Sequence, residues 1–179
     1  MTLTRRRFLE GGVGVFAALA VPLIVPSQVS AAEPAVIEMV GLPDGSDVWF
    51  DPMGLLVQPG QTVKWINRDM GNSHTATAYH PAVFGRSRRI PTHAKPWNSD
   101  YLLPGGSFAV TFSEPGVYDF YCLPHEHAGM VGRIVVGDAK AKDWWQTPQL
   151  HADSNLPEAA LTAFPSIAEI VKKGSVRHA

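Results

Sequence analysis

The chain has 179 residues, 45% of them hydrophobic and 17% charged, which suits one domain with a proper core plus appendages. A formal net charge of −1 leaves no electrostatic basis for binding nucleic acid, which needs a clustered basic surface. Fifteen prolines and 16 glycines favour strands and turns over long helices.

Residues 1–32 read as an export signal peptide: Arg5, Arg6 and Arg7, then an apolar run from Gly11 to Val25, then small residues at Val29, Ser30, Ala31 and Ala32. Pro22 interrupts the run, which falls short of the roughly 20 residues that span a bilayer, so no stable membrane insertion is expected after cleavage. Thr4-Arg5-Arg6-Arg7-Phe8-Leu9 resembles a twin-arginine signal, with Glu10 where such signals usually carry lysine; the general secretory route stays open. Either route delivers the chain to the periplasm or another extracytoplasmic space.

Residues 33–137 form the expected domain. Alternating segments Ala35–Gly41, Gly54–Asn67, Ser107–Cys122 and Met130–Gly137 predict short strands, with turns at Pro59-Gly60 and Pro115-Gly116. Val63 and Trp65 share one face, as do Phe108, Val110 and Phe112, and as do Tyr118, Phe120 and Cys122. The spacing predicts an all-β fold, an antiparallel sandwich of two sheets. The irregular stretch from Tyr79 to Gly106 carries Arg86, Arg88, Arg89 and Lys95, and reads either as a solvated loop or as a docking patch for an acidic partner. Residues 138–179 predict a short helical extension: one helix opened by Asp138, and others with starts near Pro157 and a stop at Gly174.

Cys122 is the only cysteine. In an oxidising compartment a lone cysteine is buried and inert, bridged to another chain, or held as a thiolate by a metal. Its neighbours favour the metal, because a soft redox metal takes a thiolate, imidazoles and a weak thioether, and Cys122, His125 and Met130 supply one of each around a single turn. A further donor must come from elsewhere. His74, which follows the strand ending at Asn67 and begins an alternating run, is the candidate.

His74 together with Cys122-x-x-His125-x-x-x-x-Met130, preceded by Phe120-Tyr121 and followed by Val131-Gly132, resembles the cupredoxins, the type 1 blue-copper proteins, in their plastocyanin and pseudoazurin branch. The resemblance covers about residues 35–137 and implies a Greek-key sandwich holding one copper ion. It implies a nearly trigonal set of His74, Cys122 and His125, with Met130 farther off on the axis. His127 competes for the imidazole, but that azurin-like spacing would want methionine at 131, where this chain has Val131. Family members commonly have asparagine after the upstream histidine; here it is Thr75, whose hydroxyl is expected to bond a backbone group beyond Cys122. The implied function is electron transfer rather than enzyme catalysis. The protein would act as a monomer in transient complexes with a cytochrome, a reductase or an oxidase complex. A periplasmic copper carrier is the alternative.

Overall fold

The computed structural model describes residues 33–137 and 155–179. The signal-peptide expectation for 1–32, and the helix expected from Asp138, lie outside the described residues. Strands β1 (Ala35–Gly41), β2 (Val48–Asp51), β4 (Gln61–Asn67) and β6 (Ser107–Phe112) make one sheet in the order β2-β1-β4-β6. The second sheet runs β5-β7-β8-β3-β9, from β3 (Gly54–Val57), β5 (Thr77–Ala78), β7 (Gly116–Tyr121), β8 (Val131–Val136) and β9 (Ser175–Val176). The two sheets form the expected sandwich. Both are mixed rather than wholly antiparallel: β1 runs parallel to β4, and β3 parallel to β8. The expectation of a wholly antiparallel sandwich is corrected here, because each parallel pair brings together segments that are not neighbours in the chain and needs a crossover between them.

The core follows the expected alternation. Val63 and Trp65 from β4 meet Tyr118 and Phe120 from β7 and Cys122 just after it, and Phe108, Val110 and Phe112 line the same interior. The Trp65 ring lies edge-on to Phe120 at 5.3 Å, and Phe50 approaches Phe120 at 4.7 Å. Such aromatic pairs add about 0.5–1.5 kcal/mol each beyond burial. Gly132 makes room for this arrangement, since a Cβ there would stand 2.3 Å from Phe120 Cζ.

β7 and β8 are buried on both faces. Their outer side is covered by the segment after β5 and by helices α1 (Glu158–Ala163) and α2 (Ile167–Lys173). Ser166 caps α2 by accepting the Glu169 N–H at 3.2 Å, and Gly174, at φ 78°, ends it as expected. Under this cover Asp119 accepts from Arg89 Nε at 2.9 Å and Arg133 Nε at 2.7 Å, while both guanidiniums lie 5.0 Å from the Phe164 ring. The basic stretch is therefore only partly a surface feature. Arg89 is wholly buried and Arg86 is ion-paired to Glu126, which leaves Arg88 and Lys95 as its outward cations. No helix among the described residues is long and apolar enough to cross a membrane.

Candidate metal centre

The centre sits at one end of the sandwich, where β7 runs into a 3-10 turn, Leu123–Ala128, and returns as β8. Pro124 starts the turn and Gly129, at φ 83°, stops it, donating its N–H to Glu126 O at 2.9 Å. Cys122 N–H reaches Met130 O at 3.0 Å, and Met130 N–H reaches His125 O at 3.1 Å. These bonds close the loop around Cys122, His125 and Met130. Met130 is completely buried.

His74 comes from the other side. Its backbone pairs with Leu102 in both directions, at 3.2 and 2.8 Å, which clamps it beside the turn with no exposed surface. Cys122 Sγ then lies 3.6 Å from His74 Nδ1 and 3.5 Å from His125 Nδ1, and the two Nδ1 atoms are 3.2 Å apart. The point equidistant from the corners of a triangle with these sides is about 2.0 Å from each, the length of a bond between imidazole and a first-row metal. The triangle is the right size for an ion held by both imidazoles, and the longer thiolate bond, about 2.3 Å, needs only a shift of a few tenths of an ångström. Its donors, one sulfur and two imidazole nitrogens with a thioether residue alongside, suit copper.

Burial pushes the Cys122 thiol up to about 11, against opposing hydrogen bonds from the backbone at Thr75 and His125. A metal must therefore displace its proton to gain the thiolate. Burial and the neighbouring His74 lower the His125 pKa, with Asp69 acting the other way, which favours the neutral ring that a metal needs.

Thr75 does what was expected of it. Leu123 N–H donates to its Oγ1 at 2.8 Å, and its own N–H points at Cys122 Sγ at 3.3 Å. The Thr75 hydroxyl bonds Thr77 at 2.9 Å, and Thr77 donates on to Asn98 Oδ1 at 2.9 Å. His127 is exposed and outside the cluster.

Two residues escaped the sequence reading. Asp69 Oδ2 stands 2.9 Å from His74 Nε2. Burial works to raise the Asp69 carboxyl, but hydrogen bonds from Asn72, Gly71 and His74 outweigh it and hold it at about 2, against an ordinary 3.8. Glu126, buried on the ligand turn, accepts from Tyr79 Oη at 2.8 Å and pairs with Arg86. The Asp-Met-Gly-Asn turn at 69–72 was the available sign of the first; an acid between two histidines, 125 and 127, was the only sign of the second.

A two-sheet sandwich with a Cys-His-His triangle at one end, His74 and Cys122 buried and His125 half-buried, defines a copper-binding protein of cupredoxin type. Residues 37–137 match the family described as copper binding proteins, plastocyanin/azurin family, and the chain belongs to that family. It is 32% identical over 119 residues to a plastocyanin of Prochlorothrix hollandica, covering 65% of this chain and 86% of that one. It is 30% identical over 132 residues to a chloroplastic plastocyanin of Oryza sativa subsp. indica, covering 72% and 80% respectively. Among solved structures it is similar to a pseudoazurin from Sinorhizobium meliltoi, with a TM-score of 0.53 and 25% identity over 79% of this chain and 98% of that one.

Proposed function

We propose that this chain is an extracytoplasmic single-electron carrier, not an enzyme, that works as a monomer and holds one copper ion through His74, Cys122 and His125. Met130 would supply a weaker fourth donor from its thioether. The observation that carries the reading is the triangle of Sγ and two Nδ1 atoms with sides of 3.2 to 3.6 Å. Copper, when bound, supplies a one-electron couple. The chain's part is to hold the donors still in both oxidation states: His74 by its strand-like pairing, Cys122 by Thr75, and His125 by the closed turn. Burial of His74 and Cys122 supports retention of the ion over delivery, so electron transfer is favoured over a copper carrier.

The export reading of residues 1–32 supports an extracytoplasmic site of action. Met70, Tyr101 and Leu103 are 83%, 56% and 69% exposed, and flank the two residues, Asp69 and Leu102, that hold His74. An apolar surface beside the metal suits brief docking of a redox partner such as a cytochrome, a reductase or an oxidase complex. The test is metal analysis and visible spectroscopy of the wild type and of Cys122→Ala. The wild type should carry one copper per chain and an intense colour when oxidised, and the variant neither; a colourless, copper-free wild type would overturn the reading. Retention of copper against a chelator through repeated redox cycling separates carriage of electrons from carriage of copper.

A further inference from the structure

We propose that Asp69 is a positioning residue for the metal centre: its carboxylate fixes His74 as the Nε2–H tautomer, aims Nδ1 at Cys122 and His125, and biases bound copper toward its oxidised state. The proposal rests on the copper reading above and adds to it a residue outside the donor set. Asp69 Oδ2 is 2.9 Å from His74 Nε2, and both side chains are almost fully buried. An ionised carboxylate only accepts hydrogen bonds, so the proton between them sits on Nε2. A neutral imidazole has one N–H, and Nδ1 is left with its lone pair facing the other two donors.

The carboxylate is itself immobilised. Oδ1 accepts from the N–H groups of Gly71 at 2.7 Å and Asn72 at 3.2 Å, and Oδ2 accepts from Asn72 Nδ2 at 2.8 Å. Asn67 Oδ1 accepts the Asp69 N–H at 2.9 Å, while Asn67 Nδ2 donates to the carbonyls of Asn72 and Leu102 at 2.9 and 2.8 Å. One asparagine therefore links the carboxylate turn to the Leu102 segment that pairs with His74. Gly41 leaves the necessary space, because a Cβ there would lie 2.1 Å from Asp69 Oδ2. Among the described residues no lysine or arginine pairs with Asp69, and no carboxylate is bonded to the His125 ring. The buried charge thus acts through one imidazole. It strengthens that donor and stabilises the more highly charged ion more than the less charged one.

Two variants separate charge from orientation. Asp69→Asn keeps an oxygen that can accept the Nε2–H but removes the charge; Asp69→Leu removes both. In copper-free protein, ¹⁵N chemical shifts of the His74 ring should report the Nε2–H tautomer in the wild type and in Asp69→Asn, and a mixture in Asp69→Leu. In loaded protein, Asp69→Asn should raise the midpoint potential by an amount equal to about a tenfold weakening of Cu(II) relative to Cu(I), or 59 mV for one electron. Asp69→Leu should lose copper affinity by about 10–100-fold. An Nδ1–H tautomer in the copper-free wild type, or a potential that Asp69→Asn leaves unchanged, overturns the proposal. A wild type that takes no copper sinks the copper reading and the redox half of this one, while the tautomer measurement still decides the positioning half.

Discussion

Arg86→Ala should destabilise the copper-free protein more than Glu126→Gln, although each breaks the same ion pair. Glu126 is 1% exposed and the Arg86 side chain 26% exposed, so the two charges do not lose equally when left alone. Without Arg86, a buried carboxylate on the ligand turn keeps only the Tyr79 hydroxyl, and stranding such a charge costs about 3–5 kcal/mol. The guanidinium also lies 5.3 Å from the Tyr121 ring, a contact worth about 0.5–1 kcal/mol. Because Arg86 is partly solvated, the lower end, about 3 kcal/mol, is expected. In Glu126→Gln the amide oxygen still accepts from Tyr79, and Arg86 can turn to water, so the loss is about 1 kcal/mol, as for an exposed pair. Urea unfolding of the full copper-free chain, followed by tryptophan fluorescence, measures both. Equal losses, or a loss below 1 kcal/mol for Arg86→Ala, would refute the view that Glu126 is a buried charge held in place from the Arg86 loop.

Met130→Leu should keep copper and raise its potential, since a weak donor favouring Cu(II) is lost; voltammetry showing no change would remove Met130 from the donor set. Asp69 also makes stability depend on acid. Its folded pKa of about 2 lies below the ordinary 3.8, so its contribution, about 2 kcal/mol, is present above pH 4 and disappears as the pH falls toward 2. Urea midpoints taken across that window should fall less steeply for Asp69→Asn than for the wild type. Gly132→Ala forces a methyl against Phe120 and should cost about 1–3 kcal/mol, read as a lower melting temperature; an unaltered melt would show that the ring can move aside.

Much of the centre was legible because the signal is local. Cys122, His125 and Met130 lie within nine positions, and the alternation through Phe120 and Cys122 already turns the thiol inward. Thr75 could be assigned its bond to the segment after Cys122 once the upstream histidine was matched to the family pattern. The strands over 35–41, 54–67 and 107–121 followed from their period of two. The two-residue strands β5 and β9 carry too little alternation to be seen, and their pairing is decided by β7 and β3.

What the amino-acid order determined by itself was the inward face of each long strand and the chemistry of the donors, since both depend on side-chain type and on spacing within one segment. Only the tertiary structure decided that β1 and β3 pair in parallel with β4 and β8, and that Arg89 and Arg133 are buried against Asp119. The same holds for the approach of Asp69 to His74, and of Arg86, 40 positions away, to Glu126. The physical reason is that a charged side chain in a loop, such as Asp69, Arg86 or Arg89, has no periodicity to betray its direction, while for Asp119 and Arg133 the alternation of β7 and β8 gives the outward face but not what covers it. Whether it meets water or a buried partner depends on which distant segment folds over it, here the Tyr79–Ile90 stretch and the C-terminal helices laid across the outer face of β7 and β8.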